Sequence, residues 1–397
     1  MPFRRPGPLW ILFLTVFLDL VGFGIVIPLL PLYAERFGAS PVMVTCLVAI
    51  YSLMQFFFAP WWGRLSDTRG RRPVLLIGLF GSAISYMTFG LAGSLLVLII
   101  GRAMAGVMGA NIGVAQAYVA DVTPGEERAK GMGMIGAAFG LGFIFGPALG
   151  GLLAGFGASV PFFGAAAVTF INGVLAIFWL PESLPAAARS AVVSDRPGIA
   201  RRVRALTRIG LGSRTAKLYG VFFLITFAFA ALEATFSLWA DRRWNLTPSQ
   251  VAFVFAYIGV MITIVQGGFV GPLVRRLGER RVALVGGCAL AVGLAGIPMA
   301  GSFLALAAAL AVLAFGQGTV VPALGALISL EADAGEQGRT LGMSQSLSAL
   351  GRVLGPLWGG IAFAAIGIGA PYYTGALVVG LALTLMLLAF ASFGAAR

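Results

Sequence analysis

Four ionisable residues sit where none is expected. Asp19, Arg102, Glu233 and Arg352 each interrupt a long apolar run. Burying one charge in a bilayer costs at least about 2.5 kcal/mol on insertion scales, so each is a functional candidate. A carboxylate in such a place can take up and release a proton. Its hold on that proton responds to a nearby cation or a bound compound. The chain has no histidine. That excludes a His-based acid–base centre, a Ser-His-Asp triad and an HExxH zinc site, and leaves proton chemistry to Asp and Glu. Asp19 lies about ten residues into its run, roughly 15 Å deep at the helical rise. Arg102 falls at a similar depth. The two read either as a proton carrier with a responsive partner or as a permanent ion pair tying two helices. Glu233 is either a second proton or cation site or a residue of a wet outer vestibule. Arg352 either neutralises a nearby carboxylate or partners a second charged cluster.

That cluster is "WWGRLSDTRGRRPVLL" (61–76), which places four arginines and Asp67 between two apolar runs. Gly63 and Gly70 permit a tight turn. Asp67 is placed to meet the N-terminus of a neighbouring helix, where the dipole favours an anion. Arg71 or Arg72 can then pair with Asp121 at the end of a later run. Such a cluster would latch one side of the protein in one conformation. Simple charge anchoring at a membrane surface explains the arginines, but not Asp67 or the two glycines.

The elements that must hold these residues are membrane helices. Of 397 residues, 59% are hydrophobic and only 10% are charged, against about 25% charged in a soluble domain. Apolar runs of about 20 residues, the length that crosses a bilayer as helix, recur along the chain. Twelve are expected, near 9–33, 41–62, 73–93, 95–120, 131–155, 160–180, 217–240, 249–272, 281–300, 302–329, 341–366 and 371–393. A β-barrel is excluded, since its strands are short and alternate. The start "MPFRRPGPLW" reads as the flank of an uncleaved first span. Of the 27 Lys and Arg residues, only Arg36, Arg242 and Arg243 fall in outer loops, and only Arg102 and Arg352 within spans, if both termini are cytoplasmic. This is the positive-inside asymmetry. It accounts for the net charge of +13 without nucleic acid. The basic stretch "RRVRALTR" (201–208) then faces anionic lipid. The two cysteines, Cys46 and Cys288, form no disulfide framework, and neither a metal site nor a cofactor motif is present. Neutral polar residues also fall within spans: Gln55, Asn111, Gln116, Asn172, Gln266, Gln317 and Gln345. They either line a cavity or tie helices together.

The chain repeats itself at a spacing of about 209 residues. Gly142, Gly146, Pro147, Gly150 and Gly151 of "GLGFIFGPALGG" fall on Gly351, Gly355, Pro356, Gly359 and Gly360 of "LGRVLGPLWGG". Gly63 and Gly70 fall on Gly271 and Gly278. The organisation expected is an N-terminal six-helix bundle (1–180), a cytoplasmic linker (181–216) and a C-terminal six-helix bundle (217–397). Parallel repeats of this kind build secondary transporters. The Gly-Pro run of span 5 reads as close helix packing rather than a binding element.

"GRLSDTRGRR" resembles the signature between helices 2 and 3 of the major facilitator superfamily. "GFIFGPALGG" resembles the helix-5 signature of its antiporters, and "LDLVGFGIVIPLLP" (18–31) the first helix of its twelve-span drug:proton antiporters. "YSLMQFFFAPWWGRLSDTRGRRPVLL" (51–76) is similar to the tetracycline-efflux branch. The resemblance implies an all-α membrane fold and alternating access between two halves. It further implies exchange of protons for small lipophilic or cationic drugs in a bacterial inner membrane, by a monomer without enzymatic activity. It also makes helix 11 the neighbour of Asp67. Two departures point away from tetracycline itself. Ser85 stands where those exporters carry an acidic residue, and their helix-8 histidine has no counterpart. A carrier of the same fold moving a metabolite, with uptake open to it, is the alternative. An intramembrane aspartyl protease is disfavoured, because Asp19 and Glu233 lack matched motifs around them.

Overall fold

The computed structural model describes residues 7–124, 128–185, 213–331 and 337–391. The basic stretch 201–208 lies outside them. Every element among the described residues is helical. The first half comprises α1 (Pro8–Glu35), α2 (Pro41–Arg69), α3 (Arg71–Gly90), α4 (Leu95–Met108), α5 (Ile112–Val122), α6 (Arg128–Ala154) and α7 (Val160–Trp179). The second comprises α8 (Arg214–Trp244), α9 (Pro248–Ile264), α10 (Val270–Met299), α11 (Phe303–Leu330), α12 (Gln337–Ala365) and α13 (Ala370–Ala391). α4 and α5 form one crossing, Leu95–Val122, interrupted by a 3₁₀ turn at Gly109–Asn111.

The repeat is visible in the backbone. α1 packs on α6 and α7, and α3 on α4 and α7. Correspondingly, α8 packs on α12 and α13, and α10 on α11 and α13. Ser94 and Ser302, at matching places, cap α4 and α11 by accepting from Val97 N (3.5 Å) and Ala305 N (3.2 Å). Gly70 separates α2 from α3 at φ 103°, ψ 159°. Gly278 adopts φ 78°, ψ 158°. Both lie in the left-handed region that glycine tolerates.

Gly278 also refines a boundary. Spans 8 and 9 fall within one helical stretch, Pro248–Met299, one of 11 apolar stretches among the described residues long enough to cross a membrane. A straight helix of 52 residues would measure about 78 Å, far more than a bilayer's ~30 Å apolar core. Gly278, the one non-helical backbone position within α10, divides the stretch into two crossings. A π-helical turn at Val265–Phe269 lies earlier in it.

By contact the chain divides into two compact units. One holds Met1–Ala39, Leu53–Arg196 and Leu246–Ala256; the other holds Ser40–Ser52, Pro197–Asn245 and Tyr257–Arg397. The core of the first is apolar, built from Leu12, Val16, Leu20, Leu75, Leu79, Val114 and Tyr118 among others. Within it α1 meets α6 at glycines. A Cβ on Gly146 would lie 2.6 Å from Gly24 Cα, and one on Gly24 would lie 2.8 Å from the Gly142 carbonyl oxygen. Within the second unit, a Cβ on Gly355 would lie 2.4 Å from the Phe227 carbonyl oxygen of α8. Lipid gives helices no hydrophobic drive to associate, so small residues that let backbones approach supply the packing.

Candidate functional site

The corner between α2 and α3 is a network of charges. Arg71, the first residue of α3, reaches back one turn and pairs with Asp67. Its Nε donates to Asp121 Oδ2 at 3.0 Å and its Nη1 to Ser66 Oγ at 2.7 Å. Ser66 in turn donates to the Gly63 carbonyl at 2.8 Å. Arg72 extends to the Ile177 carbonyl of α7. The structure thus brings Gly63, Asp67, Gly70, Arg71, Arg72 and Asp121 to one corner of the first unit.

Glu182 completes the corner, and sequence reasoning missed it. It follows α7 in "LPES" and accepts from the backbone N–H of Arg71 (2.9 Å) and of Arg72 (3.2 Å). Those are the first two residues of α3, whose amides have no partner within the helix. The same carboxylate accepts from Leu184 N at 3.1 Å. Ser183 Oγ donates to Asp121 Oδ2 at 2.9 Å, and the Tyr118 hydroxyl donates to the Pro181 carbonyl at 2.9 Å. An acidic residue one step beyond an apolar run was the available signal. Replacing Glu182 by alanine strips a helix N-terminus of its anionic cap, a loss of about 1–2 kcal/mol. The apparent Tm of the purified protein in detergent should fall by about 1–3 °C, and Glu182→Gln should fall less.

The second repeat does not copy this chemistry. Arg275 and Glu279 stand at the places of Asp67 and Arg71, with the signs exchanged. Glu331 after α11 instead pairs with Arg214 at 3.3 Å.

The four charges within the spans are distributed between the units. Asp19 is half-buried on α1. No hydrogen bond or ion pair joins it to any described residue. Arg102 is buried in α4 at 3% exposure. Both lie in the first unit; no ion pair between them is formed. Glu233 of α8 and Arg352 of α12 lie in the second unit. Glu233 and Tyr51 are the groups whose fields act on the Arg352 guanidinium.

The neutral polar residues separate into ties and open groups. The 3₁₀ turn at Gly109–Asn111 frees carbonyls, and α2 supplies donors for them. Gln55 Nε2 donates to the Gly109 carbonyl at 3.0 Å, and Trp62 Nε1 to the Val107 carbonyl at 2.6 Å. Asn111 is buried against Gly78, where a Cβ would lie 2.4 Å from Asn111 Nδ2. Asn172 donates to the Thr15 carbonyl at 2.7 Å, tying α7 to α1. Gln116 and Gln266 are exposed, and Gln317 is half-buried. Among the described residues no cluster of His, Cys, Asp or Glu could hold a metal ion.

A multi-pass helical membrane protein of two repeated six-helix halves, with isolated charges inside its spans, has the build of a secondary transporter. The chain belongs to the Major Facilitator Superfamily, whose family model matches residues 12–270 and again 218–393. It is 37% identical over 348 residues to the class G tetracycline resistance protein of Vibrio anguillarum, with 87% of each chain covered. It is 33% identical over 386 residues to multidrug resistance protein 2 of Bacillus subtilis, covering 95% of this chain and 94% of the relative. Among solved structures, the human organic anion transporter MFSD10 matches with TM-score 0.70 at 27% identity, covering 97% of this chain and all of the other. These relatives place the chain in the tetracycline-efflux-like branch of the superfamily.

Proposed function

We propose that the chain is a proton-driven exporter of small lipophilic compounds. Protons entering the cell neutralise Asp19, and the compound leaves as the charge is restored. The two halves present the bound compound first to one side of the membrane and then to the other. The protein sits in the inner membrane with both termini cytoplasmic, the orientation its Lys and Arg distribution favours. It acts as a monomer.

The observation that carries this reading is Asp19. It is a carboxylate midway along α1 without a hydrogen bond or ion pair to any described residue. A structural ion pair needs a partner, whereas a proton carrier needs to be able to lose its charge. The names of the relatives support the drug class, since they are a tetracycline resistance and a multidrug resistance protein. The network around Arg71 serves as the latch of one conformation.

The deciding experiment is proton flux in proteoliposomes under an imposed pH gradient. Wild type and Asp19→Asn are compared against lipophilic cations, lipophilic acids, tetracyclines and neutral drugs. At least one class should dissipate the gradient in wild type, and Asp19→Asn should lower that flux at least about tenfold, the scale of a lost general acid–base group. Equal flux in both proteins leaves antiport standing and removes Asp19 from the proton path. No flux with any compound refutes drug export, and metabolites become the substrates to test.

A further inference from the structure

The second unit contains a cation that no described residue binds by hydrogen bond or ion pair. Arg352 is exposed near the middle of α12. Its guanidinium makes no hydrogen bond and no ion pair within contact distance to any described residue; Glu233 and Tyr51 reach it only through their fields. An arginine carries five donors. Leaving them unused within a membrane span is costly unless something else occupies them.

The helix register shows which way Arg352 faces. At about 100° per residue, the exposed residues Leu350, Leu354 and Ile361 form one stripe. Arg352 lies about 160–180° around the helix from that stripe. It shares its face with Gln345, seven residues earlier, and Ser348, four earlier. The apolar stripe suits lipid, so the arginine does not face lipid tails or headgroups.

The polar face is completed from α8. The hydroxyls of Thr226 and Ser348 approach to 3.5 Å, which sets the level of the two helices. Arg352 is one turn beyond Ser348. Glu233 is two turns beyond Thr226 on the same face, so it stands about 4–5 Å further along the axis than Arg352. Its field acts on Arg352, with no ion pair between them. The guanidinium fork is thereby left available.

We infer that Arg352, flanked by Gln345 and Ser348, is a binding site for an acidic group, a carboxylate or its equivalent, on the transported compound. A planar carboxylate matches the guanidinium with two parallel hydrogen bonds, and the adjoining amide and hydroxyl can bind a further oxygen. This deepens the export reading and rests on it for the word "transported". It narrows the substrates from lipophilic or cationic compounds to those bearing an acid.

The test is binding to the purified full-length protein, with no gradient imposed. Isothermal titration compares 1-naphthylacetate, 4-biphenylacetate and 9-anthracenecarboxylate, each with its own neutral primary amide. In wild type at least one acid should bind at least tenfold more tightly than its amide. In Arg352→Gln that ratio should fall to about one while the amide's Kd stays unchanged. Arg352→Lys keeps the charge but loses the fork, and should retain only part of the preference. If Arg352→Gln proves poorly folded, the lysine variant decides, and an undiminished ratio there overturns the proposal. So does the absence of any acid preference in wild type, or a preference that survives Arg352→Gln. Because binding is read without transport, a failure here leaves the Asp19 flux experiment intact. A failure of that experiment leaves an acid site without an export role.

Discussion

Valine at position 146 should leave little folded protein in the membrane. At this point α1 and α6 meet backbone to backbone. A Cβ on Gly146 would stand 2.6 Å from Gly24 Cα, 2.8 Å from Gly24 C and 2.8 Å from the Val21 carbonyl oxygen. All three are main-chain atoms, so no rotamer change relieves the overlap. The helices must separate, and the neighbouring contacts separate with them, since a Cβ on Gly142 already lies 2.6 Å from Leu20 Cβ. Overpacking of this kind costs about 3 kcal/mol. In lipid the lost van der Waals contact has no hydrophobic term to replace it. Fluorescence-detected size exclusion of a fusion should show the monodisperse peak reduced at least about fivefold, a factor that 1–2 kcal/mol of stability supplies. Gly355→Val should behave alike, because its Cβ would meet the Phe227 carbonyl at 2.4 Å. Gly136 is the control. It lies in the same helix as Gly146 with nothing within 4 Å of its Cβ, and Gly136→Ala should be neutral or slightly stabilising. A wild-type elution profile for Gly146→Val would mean that α1 and α6 are not held by this contact.

The same glycines were legible in the sequence because a repeat displays them twice. Close approach needs glycine and tolerates little else, so the spacing of Gly142, Gly146 and Gly150 persists as Gly351, Gly355 and Gly359. The apolar runs were legible for a similar reason, since bilayer thickness imposes their length. Boundaries were less so. Gly278 turns the chain with a single residue, so the charged stretch 275–281 that separates the apolar runs of spans 8 and 9 belongs to α10 rather than to a loop. The break at Gly109–Asn111 also escaped sequence reading, because the donors that stabilise it, Gln55 and Trp62, come from another helix.

The candidate site was legible in its residue types and opaque in its pairings. A charge within an apolar run announces itself. Its partner depends on the relative level of two helices far apart in sequence. Arg352 illustrates this. Its repeat counterpart is Phe143, and that of Glu233 is Gly24, so the repeat that predicts the packing says nothing of the chemistry. The contact between Thr226 and Ser348 sets the level of α8 and α12, and only from it does Arg352 acquire Glu233 as neighbour. Glu182 is the converse case. Its residue type lay in view at the end of a span, but its use depends on the free amides of α3.

Arg71→Ala should be the most damaging single change among the surface-end charges. Arg71 and Asp67 have side chains only 7% and 3% exposed. The guanidinium bridges Asp67, Ser66 and Asp121, on α2 and α5, from the start of α3. Removing it takes from the buried Asp67 the guanidinium it pairs with. Breaking one side of such a pair costs about 3–5 kcal/mol, more than the intact pair contributes, because the remaining charge stays desolvated. The apparent Tm of the purified variant should fall by about 4–6 °C, taking slightly more than about 1 °C per kcal/mol in a protein of this size. Neutralising both partners should recover much of the loss. Asp67→Asn with Arg71→Gln keeps hydrogen-bonding groups in place without a net buried charge, so the double variant should be more stable than Arg71→Ala alone. Transport then separates stability from latching. If the network is a latch, the stable double variant should still bind compounds but cycle several-fold more slowly in the proteoliposome assay. If it transports at the wild-type rate, the network holds the α2–α3 corner together and has no part in gating.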